Sequence, residues 1–378
     1  MATRAYNSAL DSIPAVDRPG LLQRLHLDLP LLAGVLLLCG YGLLVLFSAT
    51  DQDPGKVERQ ILRLVLAFGV MLALAQVPPA VLRRWAAPLY LGGVLTLVAV
   101  LLVGDVGKGA QRWLDLGVLR FQPSELLKVA VPMTLAWFLS ARPLPPGGWR
   151  ILGGAIVIAI PTLLIFRQPD LGTAVLVAGS GGLVLFLAGM SWRLILGLAV
   201  LAASSAPVLW YLLRDYQRQR VLTFLDPTTD PLGSGYHIIQ SQIAIGSGGL
   251  YGKGWFNGTQ SHLEFLPERT TDFIFAVLGE ELGLTGALVL MAIYLVIILR
   301  GLYIASVARE TFGRLLAGGL TLVFFIYVVV NTGMVSGLLP VVGVPLPLVS
   351  YGGTSLVTIM AGFGIIMSIH THRKRSPV

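Results

Sequence analysis

Charge is scarce in this chain. Of its 378 residues, 12% are Asp, Glu, Lys or Arg and 55% are hydrophobic. An ordinary soluble domain carries about twice that charged fraction. With a mean hydropathy of +0.79, this excludes a water-soluble globular protein. Cysteine is nearly absent: Cys39 stands alone inside an apolar run, so no intrachain disulfide forms and the thiol reads as a small buried hydrophobe. Despite a net charge of +8 there is no basic stripe interleaved with aromatics, so nucleic acid is not expected as a partner. Anionic lipid headgroups are the simpler counterpart. An internal repeat is also lacking, which a transporter built of inverted repeats would be expected to show. No cleavable signal peptide is visible, because the first apolar run is full length and no small-residue cleavage site follows closely.

What the chain does have is a series of long apolar runs. In lipid, backbone groups must be satisfied within each segment, so such runs mean helices. The 44 glycines suit close helix–helix packing in a bilayer. The expected fold is an all-α polytopic membrane protein of about ten spans, at 29–48, 60–77, 86–103, 124–141, 151–166, 171–189, 193–213, 272–299, 313–337 and 347–369. The chain then divides into a polar tail (1–28), helices one to seven (29–213), a long connection (214–271), helices eight to ten (272–369) and a basic tail (370–378). An even number of spans puts both termini on one side. Short loops on that side carry Arg83, Arg84, Arg142, Arg150, Arg193, Arg300, Arg309 and Arg314, while most acids lie opposite. The positive-inside rule therefore places the termini in the cytoplasm and the long connection outside.

The external side collects the unusual residues. The long connection is too rich in Gly, Pro and Tyr for a compact domain. Tyr236, Ile239 and Ile243 share a helical face there, which predicts a short amphipathic helix in the headgroup layer. The glycines from Gly246 to Gly254 predict a flexible turn. The run Leu266-Pro267-Glu268-Arg269-Thr270-Thr271-Asp272-Phe273-Ile274-Phe275 then leads into an apolar helix. Thr270 and Thr271 read as N-caps and Asp272 as a first-turn acid at the membrane boundary. An ionisable group there is a functional candidate, with a simple capping acid as the alternative. Ala276, Gly279 and Gly283 follow on the same face, so another backbone or a ligand can approach Asp272, and Glu280 lies about two turns below.

Three other stretches bring polar groups to that side. In Arg120-Phe121-Gln122-Pro123-Ser124-Glu125-Leu126-Leu127-Lys128, proline suits a first helical turn, and Glu125 and Lys128 share a face as a structural ion pair or a substrate contact. Arg167-Gln168-Pro169-Asp170-Leu171-Gly172-Thr173 is a tight connection with an acid at the start of the next helix, which cap chemistry also explains. Pro345-Leu346-Pro347-Leu348-Val349-Ser350-Tyr351-Gly352-Gly353-Thr354-Ser355 is small, polar and uncharged. Broken backbone of this kind is tolerated at membrane depth only against protein or a cavity, and it can offer N–H groups to an anion. His237 and His262 read as solvated, and His370 and His372 are too close in sequence to face each other as a metal pair. Three acids (Glu125, Asp170, Asp272) and several bases (Arg120, Lys128, Arg269) suit an anionic, lipid-linked substrate at the outer leaflet.

The runs Phe121–Glu125, Gln168–Thr173, Leu266–Phe275 and Pro347–Gly353, in that order, resemble the SEDS family (shape, elongation, division, sporulation) of bacterial cell-wall glycosyltransferases. The resemblance covers nearly the whole chain from the first span on. Arg269 after Pro267-Glu268, and the ending Ser368-Ile369-His370-Thr371-His372-Arg373, are similar to its elongation branch. Thr270 and Gly279 stand where that family commonly has His and Ala. The resemblance implies inverting polymerisation of lipid II into β-1,4 glycan strands on the outer face of the bacterial cytoplasmic membrane. It implies Asp272 as the essential carboxylate, either a general base or the ligand of a divalent cation (Mg or Mn). It implies substrate or cavity roles for Arg120, Gln122, Ser124, Glu125, Lys128, Gln168, Asp170, Glu268, Arg269, Thr271, Glu280, Ser350, Gly352 and Gly353. Relief of the leaving diphosphate falls to Arg120, Lys128 or Arg269. The implied partners are a monofunctional class B penicillin-binding protein and the elongation machinery. Rival readings are a flippase for lipid-linked precursors, against which the one-sided polar clustering argues, a non-catalytic scaffold, and the division or sporulation member of the same family.

Overall fold

The computed structural model describes residues 25–107, 110–115, 120–212, 215–230, 233–263, 265–266 and 268–372. Helix α1 (Leu29–Ala49) opens on Asp28, whose carboxylate accepts from the Leu31 N–H at 3.0 Å. Helix α2 (Pro54–Ala75) opens on Asp53 in the same manner, with proline in its first turn where no N–H is needed. Helix α3 (Pro79–Val103) leads into an antiparallel ribbon of β1 (Asp105–Gly107), β2 (Ala110–Asp115) and β3 (Arg120–Phe121), paired in that order. Then come α4 (Pro123–Ser140), α5 (Gly148–Arg167), α6 (Leu171–Leu187) and α7 (Trp192–Leu212). The long connection holds α8 (Asp215–Leu225), α9 (Ser234–Gly248) and the single turn α10 (Thr259–His262). The chain closes with α11 (Ile274–Val307), α12 (Thr311–Val335) and α13 (Thr354–Thr371).

Each expected span falls on one of these helices. Six of them (α1, α3, α5, α11, α12 and α13) are long and apolar enough to cross a membrane. The protein is a helical, multi-pass membrane protein, with the ribbon as the one departure from the all-α expectation. Helix α13 packs on α2, α11 on α12 and α1, α3 on α4, and α12 on α4 and α6. None of the described side chains of α7 is buried. Lipid is as apolar as leucine, so helices associate through close backbone approach rather than hydrophobic driving force. Gly42 on α1 and Gly172 on α6 show this: a Cβ there would lie 2.8 Å from the Leu348 carbonyl and 2.6 Å from that of Val342. The segment between α12 and α13 is thereby held against two helices at once.

Four expectations are corrected. Helix α9 forms where predicted, but its buried side chains include Ile238, Ser241 and Ala244, and Ile243 is exposed. It lies on α11, where a Cβ at Gly248 would meet the Gly279 carbonyl at 2.0 Å. The glycines after it are not a loose turn. Helix α11 breaks at Gly283 (φ 64°), and the loop fills the break. Lys253 N–H donates to Glu280 O, Gly254 N–H to Glu281 O, Leu284 N–H to Gly249 O and Thr285 N–H to Leu250 O, each at 3.0 Å. Two carbonyls and two N–H groups beside the kink are thus satisfied by the loop. Finally, α11 starts at Ile274 without a side-chain cap, so Thr270 and Thr271 are not N-caps and Asp272 precedes the helix. Likewise α13 starts at Thr354 rather than 347, because prolines and glycines keep the preceding residues in turns.

Candidate active site

The starts of α4, α6 and α13 converge on a cavity of about 640 Å³. Gln122, Glu125 and Lys128 line it from α4, Asp170 and Thr173 from α6, and Gly352 to Ser355 from α13; Arg112, Tyr327, Gly343 and Val344 are also in the wall. Three positive helix ends therefore face one space. Helices α4 and α6 bring their own acids, Glu125 in the first turn and Asp170 as the N-cap accepting from Thr173 N–H at 3.3 Å. Helix α13 brings none: its N-cap is Gly353, without a side-chain cap or a first-turn acid. An anion entering the cavity meets an uncompensated helix end there.

Two ion pairs line the same space. Lys128 Nζ donates to Glu125 Oε1 at 2.6 Å, both buried, and sits 5.0 Å from the centre of the Tyr327 ring. The second Glu125 oxygen has no hydrogen-bond partner. Arg112 Nε lies 3.5 Å from Asp170 Oδ2, and its Nη2 donates to the Pro169 carbonyl at 3.1 Å. Each cation arrives with a carboxylate, so the pairs cancel until a ligand is bound.

Asp272 stands at the rim. A Cβ on Gly343 would lie 3.4 Å from its Oδ2, so the carboxylate abuts a residue of the cavity wall. Its place is fixed through the backbone. Asn331 of α12, fully buried, donates from Nδ2 to Asp272 O at 2.9 Å and to Val344 O at 2.7 Å. Ser350 Oγ donates to Thr271 O at 2.5 Å and accepts from Leu346 N–H at 2.8 Å. Tyr351 N–H donates to Thr270 O at 2.8 Å. Gln60 of α2 accepts from Gly352 N–H at 3.3 Å and donates to Ser350 O at 3.4 Å. The turn before α11 and the segment before α13 form one hydrogen-bonded unit.

Of the residues singled out in the sequence, Gln122, Glu125, Lys128, Asp170, Gly352 and Gly353 line the cavity and Asp272 borders it. Ser124 and Gln168 are buried outside the lining, Gln168 Nε2 donating to Leu97 O at 3.0 Å. Ser350 supports the segment, as described. Thr271 donates its hydroxyl to Glu268 Oε2 at 2.8 Å, and Arg269 is ion-paired with Asp51 in the α1–α2 connection. Glu280 is not part of the site: fully buried, it accepts from Lys253 Nζ at 2.7 Å, Thr259 Oγ1 at 2.9 Å and Gln260 N–H at 3.0 Å. The small face of α11 admits the α9 and glycine-loop backbones instead of a ligand. Arg120 lies in β3, and its side chain is outside the described residues. Arg112, Tyr327, Asn331 and Gln60 were missed. The one signal for Asn331 was a lone amide in an apolar run.

Among the described residues, no three His, Cys, Asp or Glu side chains converge as a metal cage. Residues 29–375 match the family described as cell cycle protein, which unites FtsW, RodA and SpoVE. The chain belongs to the SEDS family. This SEDS protein is 59% identical over 352 residues to the peptidoglycan glycosyltransferase MrdB of Escherichia coli K12, covering 93% of this chain and 95% of the relative. It is 38% identical over 362 residues to a probable peptidoglycan glycosyltransferase FtsW of Geobacter metallireducens, covering 92% and 95%. Among solved structures it is similar to a peptidoglycan synthase complex that coordinates polymerization and crosslinking, with a TM-score of 0.82 and 34% identity over 92% of this chain and 99% of that one. It is also similar to the rod shape determining protein RodA of Thermus thermophilus, with a TM-score of 0.70 and 31% identity over 92% and 98%.

Proposed function

We propose that this SEDS chain is a peptidoglycan glycosyltransferase of cell elongation, polymerising lipid II into β-1,4 glycan strands. The observation that carries the reading is the Asp272 carboxylate at the rim of a cavity where an uncapped helix end and two ion pairs meet. The donor sugar of lipid II bears an α-linked diphosphate, so a β product needs one inverting displacement. Asp272 takes the proton of the acceptor 4-hydroxyl as that oxygen bonds to the anomeric carbon. The bond to the diphosphate breaks on the opposite face, and its electron pair leaves with the diphosphate. The α13 start, Lys128 and Arg112 meet that charge. Glu125 and Asp170 are paired with Lys128 and Arg112, so a divalent cation would take Asp272 as its protein ligand and would neutralise leaving-group charge.

The arginine distribution supports termini in the cytoplasm and a cavity open to the outer face of the inner membrane, with α2, α4, α6 and α7 completing ten spans. Similarity to a complex that couples polymerization to crosslinking supports a class B penicillin-binding protein as partner. The test is polymerisation of fluorescent lipid II by the purified chain with that partner, with and without chelator. Wild type is expected to make polymer and Asp272→Asn, though folded, none; an active, folded Asp272→Asn overturns the assignment. Chelator sensitivity moves Asp272 from base to metal ligand. No polymer from folded, partner-bound wild type favours the flippase.

A further inference from the structure

Helix α4 leads away from the active-site cavity for 18 residues, about 27 Å. At its far end the turn into α5 forms a second cavity of about 370 Å³, lined by Trp137, Phe138, Ala141, Arg142, Trp149 and Arg150. The volume falls in the range of small-ligand sites, about 300–1,000 Å³. No carboxylate lines it, and none occurs between Lys128 and Asp170 in the sequence. Arg150 is held in place: its guanidinium donates to the carbonyls of Leu139, Pro143 (3.0 Å) and Arg142 (3.3 Å) at the end of α4. Among the described residues, the Arg142 guanidinium has no such partner. Helix α5 starts alongside, with Gly147 as N-cap and neither a side-chain cap nor a first-turn acid. Gly153 lets the α5 backbone back directly onto Phe138 of the lining, since a Cβ there would press on its ring at 2.8 Å. Away from the cavity, α5 exposes Leu152, Ile156, Ile160 and Leu163 along one side.

We propose that this cavity holds the phosphate headgroup of an anionic phospholipid in the leaflet opposite the active site. Arg142 and Arg150 take the phosphate oxygens, a geometry for which the guanidinium fork is suited. Trp137 and Trp149 sit at headgroup depth, where indole rings are favoured. An acyl chain runs down the exposed side of α5. A zwitterionic headgroup would bring an ammonium towards two arginines with no carboxylate to receive it, so the site discriminates against it. This site requires the bilayer but not the glycosyltransferase reading, and stands or falls separately from it.

The test is native mass spectrometry of the full chain in detergent, titrated with dioleoylphosphatidylglycerol, dioleoylphosphatidylcholine or free glycerol phosphate. Wild type is expected to retain one phosphatidylglycerol, with phosphatidylcholine at least about five-fold weaker. Arg142→Gln should weaken phosphatidylglycerol about five-fold, the worth of one basic residue at a lipid surface, while Arg193→Gln, on an exposed same-side arginine, should not. Trp149→Ala, on a side chain 87% exposed and so remote from the core, should weaken it too. Equal retention of the two lipids, or unchanged binding in both Arg142→Gln and Trp149→Ala, overturns the proposal. Glycerol phosphate displacing the lipid at equal concentration overturns the lipid as occupant.

Discussion

Replacing Asn331 with alanine removes one amide and leaves two backbone carbonyls, those of Asp272 and Val344, without the donor that joins them at 2.9 and 2.7 Å. A buried polar group left unpaired costs about 1–3 kcal/mol, but interhelical hydrogen bonds in membrane proteins average only about 0.6 kcal/mol. The expected loss of stability is therefore about 1–3 kcal/mol in all, too little to unfold a bundle whose helices keep their packing. The loss of function should be larger. Asn331 fastens the Asp272 turn to the Gly343 segment, and a carboxylate displaced by about 1 Å can cost about 100-fold in rate. Steady-state polymerisation should show kcat reduced at least about ten-fold, with KM for lipid II little changed, because the charged side chains that line the cavity keep their own partners. Thr332→Ala is the control, since that hydroxyl bonds only within α12, to Val328 O at 2.8 Å and Val329 O at 3.4 Å. Wild-type kcat in a folded Asn331→Ala protein would refute the argument that this amide positions Asp272.

Lys128→Met should destabilise the chain by about 3–5 kcal/mol, because it strands the Glu125 charge in a buried site; adding Glu125→Gln should restore much of the melting temperature but not polymerisation. Gly283→Ala puts a side chain where φ is 64° and where a Cβ would meet Gly252 N at 2.3 Å. It should cost more than the about 1–3 kcal/mol of backbone strain alone, and limited proteolysis should cut the 249–254 loop sooner than in wild type. Asp28 gives a pH signature. Burial would raise its carboxyl, but hydrogen bonds from His370, Arg300 and the Leu31 N–H outweigh burial and hold it well below the usual carboxylate range. With the folded value below the unfolded one, its contribution is complete above about pH 4 and is lost as pH falls through the folded value. Asp28→Asn should melt below wild type at pH 7, and the gap should narrow in acid; a gap that widens on acidification contradicts the argument.

The helices were legible because lipid leaves the backbone no other choice, and Glu125–Lys128 because neighbours three apart on a helix must share a face. Element starts were less so. Thr270-Thr271-Asp272 ahead of an apolar run has the composition of a helix cap, yet Ser350 and Tyr351, far along the chain, take the carbonyls of Thr270 and Thr271 and keep that stretch a turn. Glycine marks either freedom or close approach, and only the partner decides between them. For Gly252 the partner is the break at Gly283, which no local pattern announces. Arg112 was missed because its partner Asp170 caps α6, far along the chain from the ribbon and beyond any helical or strand spacing. Glu280 was assigned to the wrong side because the face below Asp272 was already taken by backbone.

Gln60 is fully buried on α2, and both ends of its amide are taken by residues 290 or more positions later. At ribosomal speeds of about 5–20 residues per second, those partners are synthesised about 15–60 s after Gln60. Throughout that interval α2 waits without α13, the helix it packs on most extensively, and the amide must be satisfied by water, lipid headgroups or an insertion factor. The Gly352–Ser355 wall of the cavity arrives with α13, so the catalytic space comes into being only as the last helix inserts. A chain truncated before α13 would carry Asp272, Lys128 and Glu125 and still have no site in which to use them.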